Sequence, residues 1–410
     1  MMLTRRSVTV GSAALATTAL VLGPEAMAAP RRLRKTSAEG GQVVLDWEQV
    51  AYATIYGPPT PTPIPIGAPV LGFVSVAAYR AATRSAHLGS SSESAAVARA
   101  AHDVLLAYYP AKADALGAAL AASLDAIGPG HARTKGSRIG ADAAREMIAS
   151  RQGDGYLDGS IHYTKAPGPG VWTPNTGQTD MLGAWLGSLR PLVVAPEPLS
   201  GPYALGSSAW VADYEEVRAL GRDVSTDRTP TQTASALFHN STNAVITVSS
   251  ALARYLEDHP IGIIGTAHIF AMMHAAVTDS IICTWRAKRD VGFWRPFQAI
   301  SGPYVDGNPG TTEQPGWVPL VPNPNYSDYL SGHASGTSPQ VEVIRRVLGE
   351  NTALELRSPT LGARTYSQLS EIEFEAFGAR IWGGLHYRKA MTDTYEMGHR
   401  TAVRVMSELG

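Results

Sequence analysis

Cysteine is almost absent from this chain. Of 410 residues only Cys283 carries a thiol, which excludes an intramolecular disulfide, a Cys-x-x-Cys redox pair and a cysteine-based zinc cluster. An excess of charge of one sign is missing too: 34 Lys+Arg stand against 35 Asp+Glu, a net charge of −1. That balance excludes a basic nucleic-acid footprint and an acidic solvating tail. Lysine is scarce, at 6 of the 34 basic residues against 28 arginines; this is composition bias, but it makes each lysine worth reading individually. Long clean apolar runs are also wanting. The segment from Ile261 to Trp285 comes nearest, and His268, His274 and Asp279 interrupt it before the roughly 18 apolar residues a span requires. It reads as a buried central helix, with no membrane span expected once the N-terminal signal is removed.

What is present is a globular composition, 44% hydrophobic and 17% charged, with ample length for a sizeable core. The N-terminus reads as an address. Arg5-Arg6 precede the small, apolar stretch Val8 to Leu22, and Ala26-Met27-Ala28 supplies an A-x-A cleavage site. Residues 1–28 are therefore expected to be a twin-arginine export signal of a secreted protein. Residues 29–44, with Arg31, Arg32, Arg34 and Lys35, are expected to be a basic flexible leader, and 45–410 a single domain with its site within 285–390.

The fold class is mainly α. Ser94 to Ile127 is rich in Ala and Leu, and Pro110 divides it into two helices. Further helices are expected over Ser137–Arg151, Asn243–Asp258, Val341–Leu348, Leu369–Trp382 and Ala390–Leu409, with Gly/Pro-rich connections at 153–178 and 192–207. No run of alternating strands and no internal repeat is visible.

Three clusters follow the central segment. In the first, Lys288 sits near the helix end and Arg295-Pro296 follows in an aromatic loop; a cation at a helix C-terminus is also an ordinary dipole partner. In the second, Ser331-Gly332-His333 opens a helix whose free N–H groups are able to face an anion, or Ser331 is a simple cap. In the third, Arg380 lies late in a helix and His386 follows a Gly383-Gly384 break, an arrangement that also suits a C-cap. Jointly, three cations, a hydroxyl, helix N-terminal amides and two histidines are the components of a tetrahedral oxyanion site.

This constellation resembles the vanadium haloperoxidase and type 2 phosphatidic acid phosphatase superfamily, whose signature is K-x6-R-P, then P-S-G-H, then S-R-x5-H-x3-D. Lys288 to Arg295-Pro296 matches the first element, Ser331-Gly332-His333 the second with Leu330 for proline, and Arg380 with His386 the third with Ala379 for serine. Asp213 to Val217, Leu220-Gly221 and Arg228-Thr229-Pro230 are similar to secreted bacterial haloperoxidase-like members, extending the likeness from about Gly41 to the end. The resemblance implies a helical bundle of the vanadium haloperoxidase and acid phosphatase type. It implies that His386 binds the vanadium of vanadate, or attacks phosphorus. Lys288, Arg295 and Arg380 would neutralise the oxyanion, with Ser331 and Gly332 donating to it, and His333 would be the acid–base group.

Two features bear on the reaction. Trp285, three residues before Lys288, and Tyr326, seven before His333, mark a halide pocket or are core aromatics. Ala390 replaces the aspartate usually four residues after the histidine, and Asp393 lies three residues further on. The favoured activity is a vanadate-dependent haloperoxidase acting on hydrogen peroxide and halide, with Lys288 polarising the peroxide. The alternatives are a secreted acid phosphatase that cleaves a small phosphate ester without a cofactor, and a catalytically weak oxyanion-binding member, which Ala390 favours. His268, His274 and Asp279 are expected to be buried hydrogen-bonded residues. His87, His102, His131, His162, His239, His259 and His399 show no ligand spacing.

Overall fold

A computed structural model describes residues 40–410; the expected export signal and most of the expected leader lie outside the described residues. In chain order the helices are α1 (Gln42–Tyr56), α2 (Ile64–Leu88), α3 (Glu93–Tyr108), α4 (Ala113–Ile127), α5 (His131–Ser150), α6 (Ser208–Leu220), α7 (Pro230–Asn240), α8 (Thr247–Asp258), α9 (Gly262–Asp290), α10 (Pro296–Ser301), α11 (Gly332–Leu348), α12 (Leu369–Trp382) and α13 (Arg388–Leu409). Strands β1 (Leu354–Ser358) and β2 (Gly362–Tyr366) form one antiparallel hairpin, with Leu354 opposite Tyr366. The mainly α expectation holds.

The centre of the fold is α9, apolar around almost its whole circumference and buried from Ile263 to Trp285 apart from its first turns. The helices α2, α11 and α13 and the short 3-10 turn Ala184–Ser188 all pack on it. Its polar residues are partnered. His274 Nε2 lies 3.1 Å from Glu48 Oε2, and His268 Nε2 lies 3.0 Å from the Leu409 carbonyl. The Asp279 carboxylate accepts from the N–H groups of Leu192, Val193 and Val194 at 2.6, 2.9 and 2.7 Å, which clamps the 192–207 connection onto the helix. Cys283 is buried, as befits a small apolar residue, and burial pushes its thiol up to about 11.

Several expectations shift. Helix α1 begins at Gln42, so residues 42–44 belong to the domain, because Val44 and Leu45 are buried in its core. Helix α5 begins at His131, six residues before Ser137, and α11 takes in everything from Gly332, with Pro339 inside it. A second helix, α2, is long and apolar enough to cross a membrane by length and composition, yet most of it is buried inside the protein. The hairpin was not expected; Leu354 and Leu356 are buried and its first strand packs on α8.

Glycine matters where α2 meets α9. A Cβ added to Gly72 would collide with Thr278 Oγ1 and lie 2.9 Å from Leu192 Cδ2. Gly72→Ala is therefore expected to destabilise the protein by about 1–3 kcal/mol through overpacking, read as a lowered Tm in thermal denaturation.

Candidate active site

Five elements deliver the motif residues to one place. Lys288 lies in the last turns of α9, Arg295 is the residue before α10, Ser331-Gly332-His333 opens α11, Arg380 lies in the last turn of α12, and His386 sits in the link to α13. The link turns at Gly384, where φ is +75° and a Cβ would strike the Gly221 carbonyl. Only glycine suits that turn. Upstream, Arg228 donates to the carbonyls of Leu220, Arg222, Asp223 and Trp382, tying the end of α12 to α6. Thr229 and Gln232 cap α7 reciprocally, with Pro230 at its first position.

The cations are buried and held by main-chain carbonyls. Lys288 Nζ donates to Ser327 O at 2.7 Å, Asp328 O at 3.1 Å and the Leu330 carbonyl. An ammonium has three protons, so Lys288 acts on an anion as a charge and not as a donor. Arg295 donates from Nε to Tyr326 O at 2.6 Å, from Nη1 to Leu385 O at 2.7 Å and from Nη2 to Ser327 O at 3.4 Å. Arg380 differs: its Nε and Nη1 are buried and have no hydrogen-bond partner among the described residues. Burial holds all three below their usual values, Lys288 well below and Arg380 down to about 10, and the Arg295 charge depresses Lys288 and Arg380 further. Such a cluster gains more than any neutral site from receiving an anion.

The helix start completes the cage. Ser331 Oγ accepts from Ala334 N–H at 3.3 Å as the N-cap, leaving its O–H free to donate, and Ser331 N–H donates to Thr394 Oγ1 at 2.9 Å. The Gly332 N–H is among the first of the helix, where no intrahelical acceptor exists. His386 is buried, and its Nδ1 lies 2.7 Å from Asp328 Oδ1, so Nε2 is the ring atom left to meet an anion. Burial and the adjacent cations push the imidazolium form of His386 well down; burial pushes the Asp328 carboxyl up to about 8, against Arg295 and Lys288. His333 is partly accessible, and burial, Arg380 and His239 disfavour its charged form.

Trp285 and Tyr326 stand against this cage. Trp285 donates to Leu182 O at 2.9 Å, and its ring lies 5.1 Å from that of Tyr326. Lys288 Nζ and Arg295 Cζ lie 4.8 and 5.0 Å from the Tyr326 ring centroid, within cation–π range. A Cβ on Gly332 would touch Trp285 at 3.0 Å. All the motif residues are thus brought together.

Two residues were missed from the sequence. Asp328 meets His386 across 58 positions; the one available signal was the missing acid at 390, which requires a carboxylate from elsewhere. His239, set aside for want of ligand spacing, is buried on α7 with its ring 6.4 Å from that of His333 and its Nε2 without a hydrogen bond. Burial and Arg380 depress it to about 3. No spacing signals it, because the packing of α7 on α12 creates the contact.

Comparison with known proteins gives matches in sequence and in fold. Residues 268–409 match the family described as the VCPO second helical-bundle domain. A vanadium chloroperoxidase of Curvularia inaequalis is 30% identical over 30% of this chain and 24% of its own, so the match spans about a quarter of that relative. Among solved structures, a bacterial vanadium-dependent iodoperoxidase superposes with a TM-score of 0.69 at 16% identity, covering 90% of this chain and 95% of its own. A holo-type bacterial vanadium-dependent chloroperoxidase gives a TM-score of 0.62 at 15% identity, covering 84% and 92%.

Proposed function

The chain belongs to the vanadium haloperoxidase superfamily, and from that premise we propose that it oxidises halide with hydrogen peroxide at a vanadate held by His386. The observation that carries the reading is the pair of unpartnered buried nitrogens on Arg380, set beside two further cations and a histidine with one ring nitrogen to spare. A tetrahedral oxyanion is the ligand class that a guanidinium fork and a point charge jointly recognise. Vanadate, when bound, supplies an electrophilic centre at which peroxide becomes reactive towards halide.

The residues of the chain do the rest. His386 would present Nε2 to the oxyanion, while Arg380 would donate to it from Nε and Nη1. Lys288 and Arg295, immobilised by carbonyls, supply a fixed positive field that needs no reorganisation during reaction. Gly332 N–H and Ser331 O–H donate from the helix start. His333, neutral at working pH, is ready to accept a proton from the incoming peroxide and return it later. Trp285 and Tyr326 form a wall beside Lys288 that excludes water and suits a weakly hydrated halide. Export before action, as residues 1–28 suggest, is part of the same proposal.

One observation favours a second reading. A histidine backed by a carboxylate is also equipped as a nucleophile towards phosphorus, so Ala390 by itself no longer argues against a phosphatase or for a weak member. One preparation therefore decides. Bromide or iodide oxidation is expected to appear only when apo-protein receives vanadate and peroxide. An aryl phosphate cleaved without vanadate, and inhibited by it, with no halide oxidation, is the outcome that contradicts the proposal.

A further inference from the structure

Four residues after His386 the chain carries Ala390, where the motif it resembles carries an acid. The carboxylate that meets His386 comes instead from the loop before α11. Asp328 Oδ1 lies 2.7 Å from His386 Nδ1, and both side chains are 2% exposed. Asp328 and Ala390 line a single cavity of about 10 Å³, with Asp213, Tyr329 and Tyr387. The acid and the alanine thus face the same small space.

Asp328 is well anchored for such a task. Its N–H donates to Phe293 O at 2.8 Å, its carbonyl accepts from Lys288 Nζ at 3.1 Å, and its carboxylate accepts from the Tyr387 N–H. The other acid near this register, Asp393, is already committed. Its Oδ2 accepts from Tyr329 O–H at 2.6 Å and from Ser200 O–H at 2.9 Å, and its Oδ1 accepts from Lys389 Nζ at 2.8 Å. Asp213 accepts from the Lys389 N–H at 2.9 Å.

We propose that Asp328 is the positioning carboxylate of His386, taking over from position 390, and that it keeps the ring in the tautomer whose Nε2 lone pair faces the oxyanion. The inference rests on reading His386 as the residue that binds that oxyanion. A neutral imidazole has one donor and one acceptor nitrogen, and the partner of one nitrogen decides the state of the other. Partners of this kind typically change ligand affinity by about 10–100-fold when removed.

The test uses the full chain as wild type, Asp328→Ala, Asp328→Asn, Ala390→Asp and the double variant Asp328→Ala/Ala390→Asp. Two measurements are made on each protein in one buffer: the His386 tautomer by ¹⁵N NMR of vanadate-free protein, and vanadate affinity by equilibrium dialysis. In the wild type His386 is expected to carry its proton on Nδ1. Asp328→Ala is expected to mix the tautomers and weaken vanadate binding about 10–100-fold, and Asp328→Asn, which preserves volume, to do the same in part. Ala390→Asp alone sets a third acid against Asp328 and Asp213, so a lower Tm with no gain in affinity is expected. The double variant should recover the tautomer and most of the affinity. An Asp328→Ala or Asp328→Asn protein with wild-type tautomer and affinity overturns the proposal, as does a folded double variant that recovers neither. If wild type binds no vanadate, the functional reading fails by itself, and the tautomer measurement still decides the role of Asp328.

Discussion

Replacing His386 by alanine is expected to abolish vanadate-dependent halide oxidation, by at least about a thousandfold, while the protein still folds. The size follows from the geometry. On the proposed reading His386 would bond the central atom, while the cations and amides would act on its oxygens. Its other ring nitrogen is occupied by Asp328 at 2.7 Å; His333 opens α11, and His239 lies 6.4 Å from it, ring to ring. The fold is expected to survive because His386 lies in a link between helices. The substitution does leave the buried Asp328 carboxyl without its partner, at a cost of about 1–3 kcal/mol. Activity should accordingly be compared well below the lowered Tm. Halide oxidation in the His386→Ala protein within tenfold of wild type would contradict the account.

Arg380→Met is expected to move stability and affinity in opposite directions. Methionine is similar in reach and carries no charge, so it removes a buried guanidinium whose Nε and Nη1 have no partner among the described residues. A buried, uncompensated cation costs desolvation energy that an apolar side chain does not. The variant should therefore melt at or above the wild-type temperature. Vanadate binding should weaken about 10²–10³-fold, the loss typical for removing a preorganised donor to a developing or bound oxyanion. Arg380→Lys should not rescue it, because the three donors of an ammonium diverge from one nitrogen and do not match paired oxygens as a planar guanidinium fork does. Melting curves and dialysis on the same samples read both effects. A variant that loses stability and keeps its affinity would mean that Arg380 is structural.

Much of this was legible in the sequence, for identifiable reasons. Leu369–Trp382 is found as expected because its breakers lie outside it, and Pro110 divides α3 from α4 because it cannot continue a helix. Helix α2 was not legible, since Pro65, Pro69 and Gly72 read as breakers; tertiary burial against α9 overrides them. The hairpin is too short, at five residues a strand, to signal itself between two helices. In the site, Lys288, Arg295, Ser331, Gly332, His333, Arg380 and His386 are held in fixed spacings by helix ends, and spacing is what a sequence records. Asp328 and His239 reach the site through packing between distant segments. Spacing carries no trace of that, and the alanine at 390 shows only that something else must supply the charge.

The central claim is that the three buried cations and His386 bind a tetrahedral oxyanion through Nε2. A crystal structure of the full chain grown with vanadate tests it most directly. The account predicts vanadium bonded to His386 Nε2, with Arg380 Nε and Nη1 donating to its oxygens and Asp328 still at Nδ1. Vanadate bound elsewhere on the protein, or a cage that stays without it at saturating concentration, would contradict it.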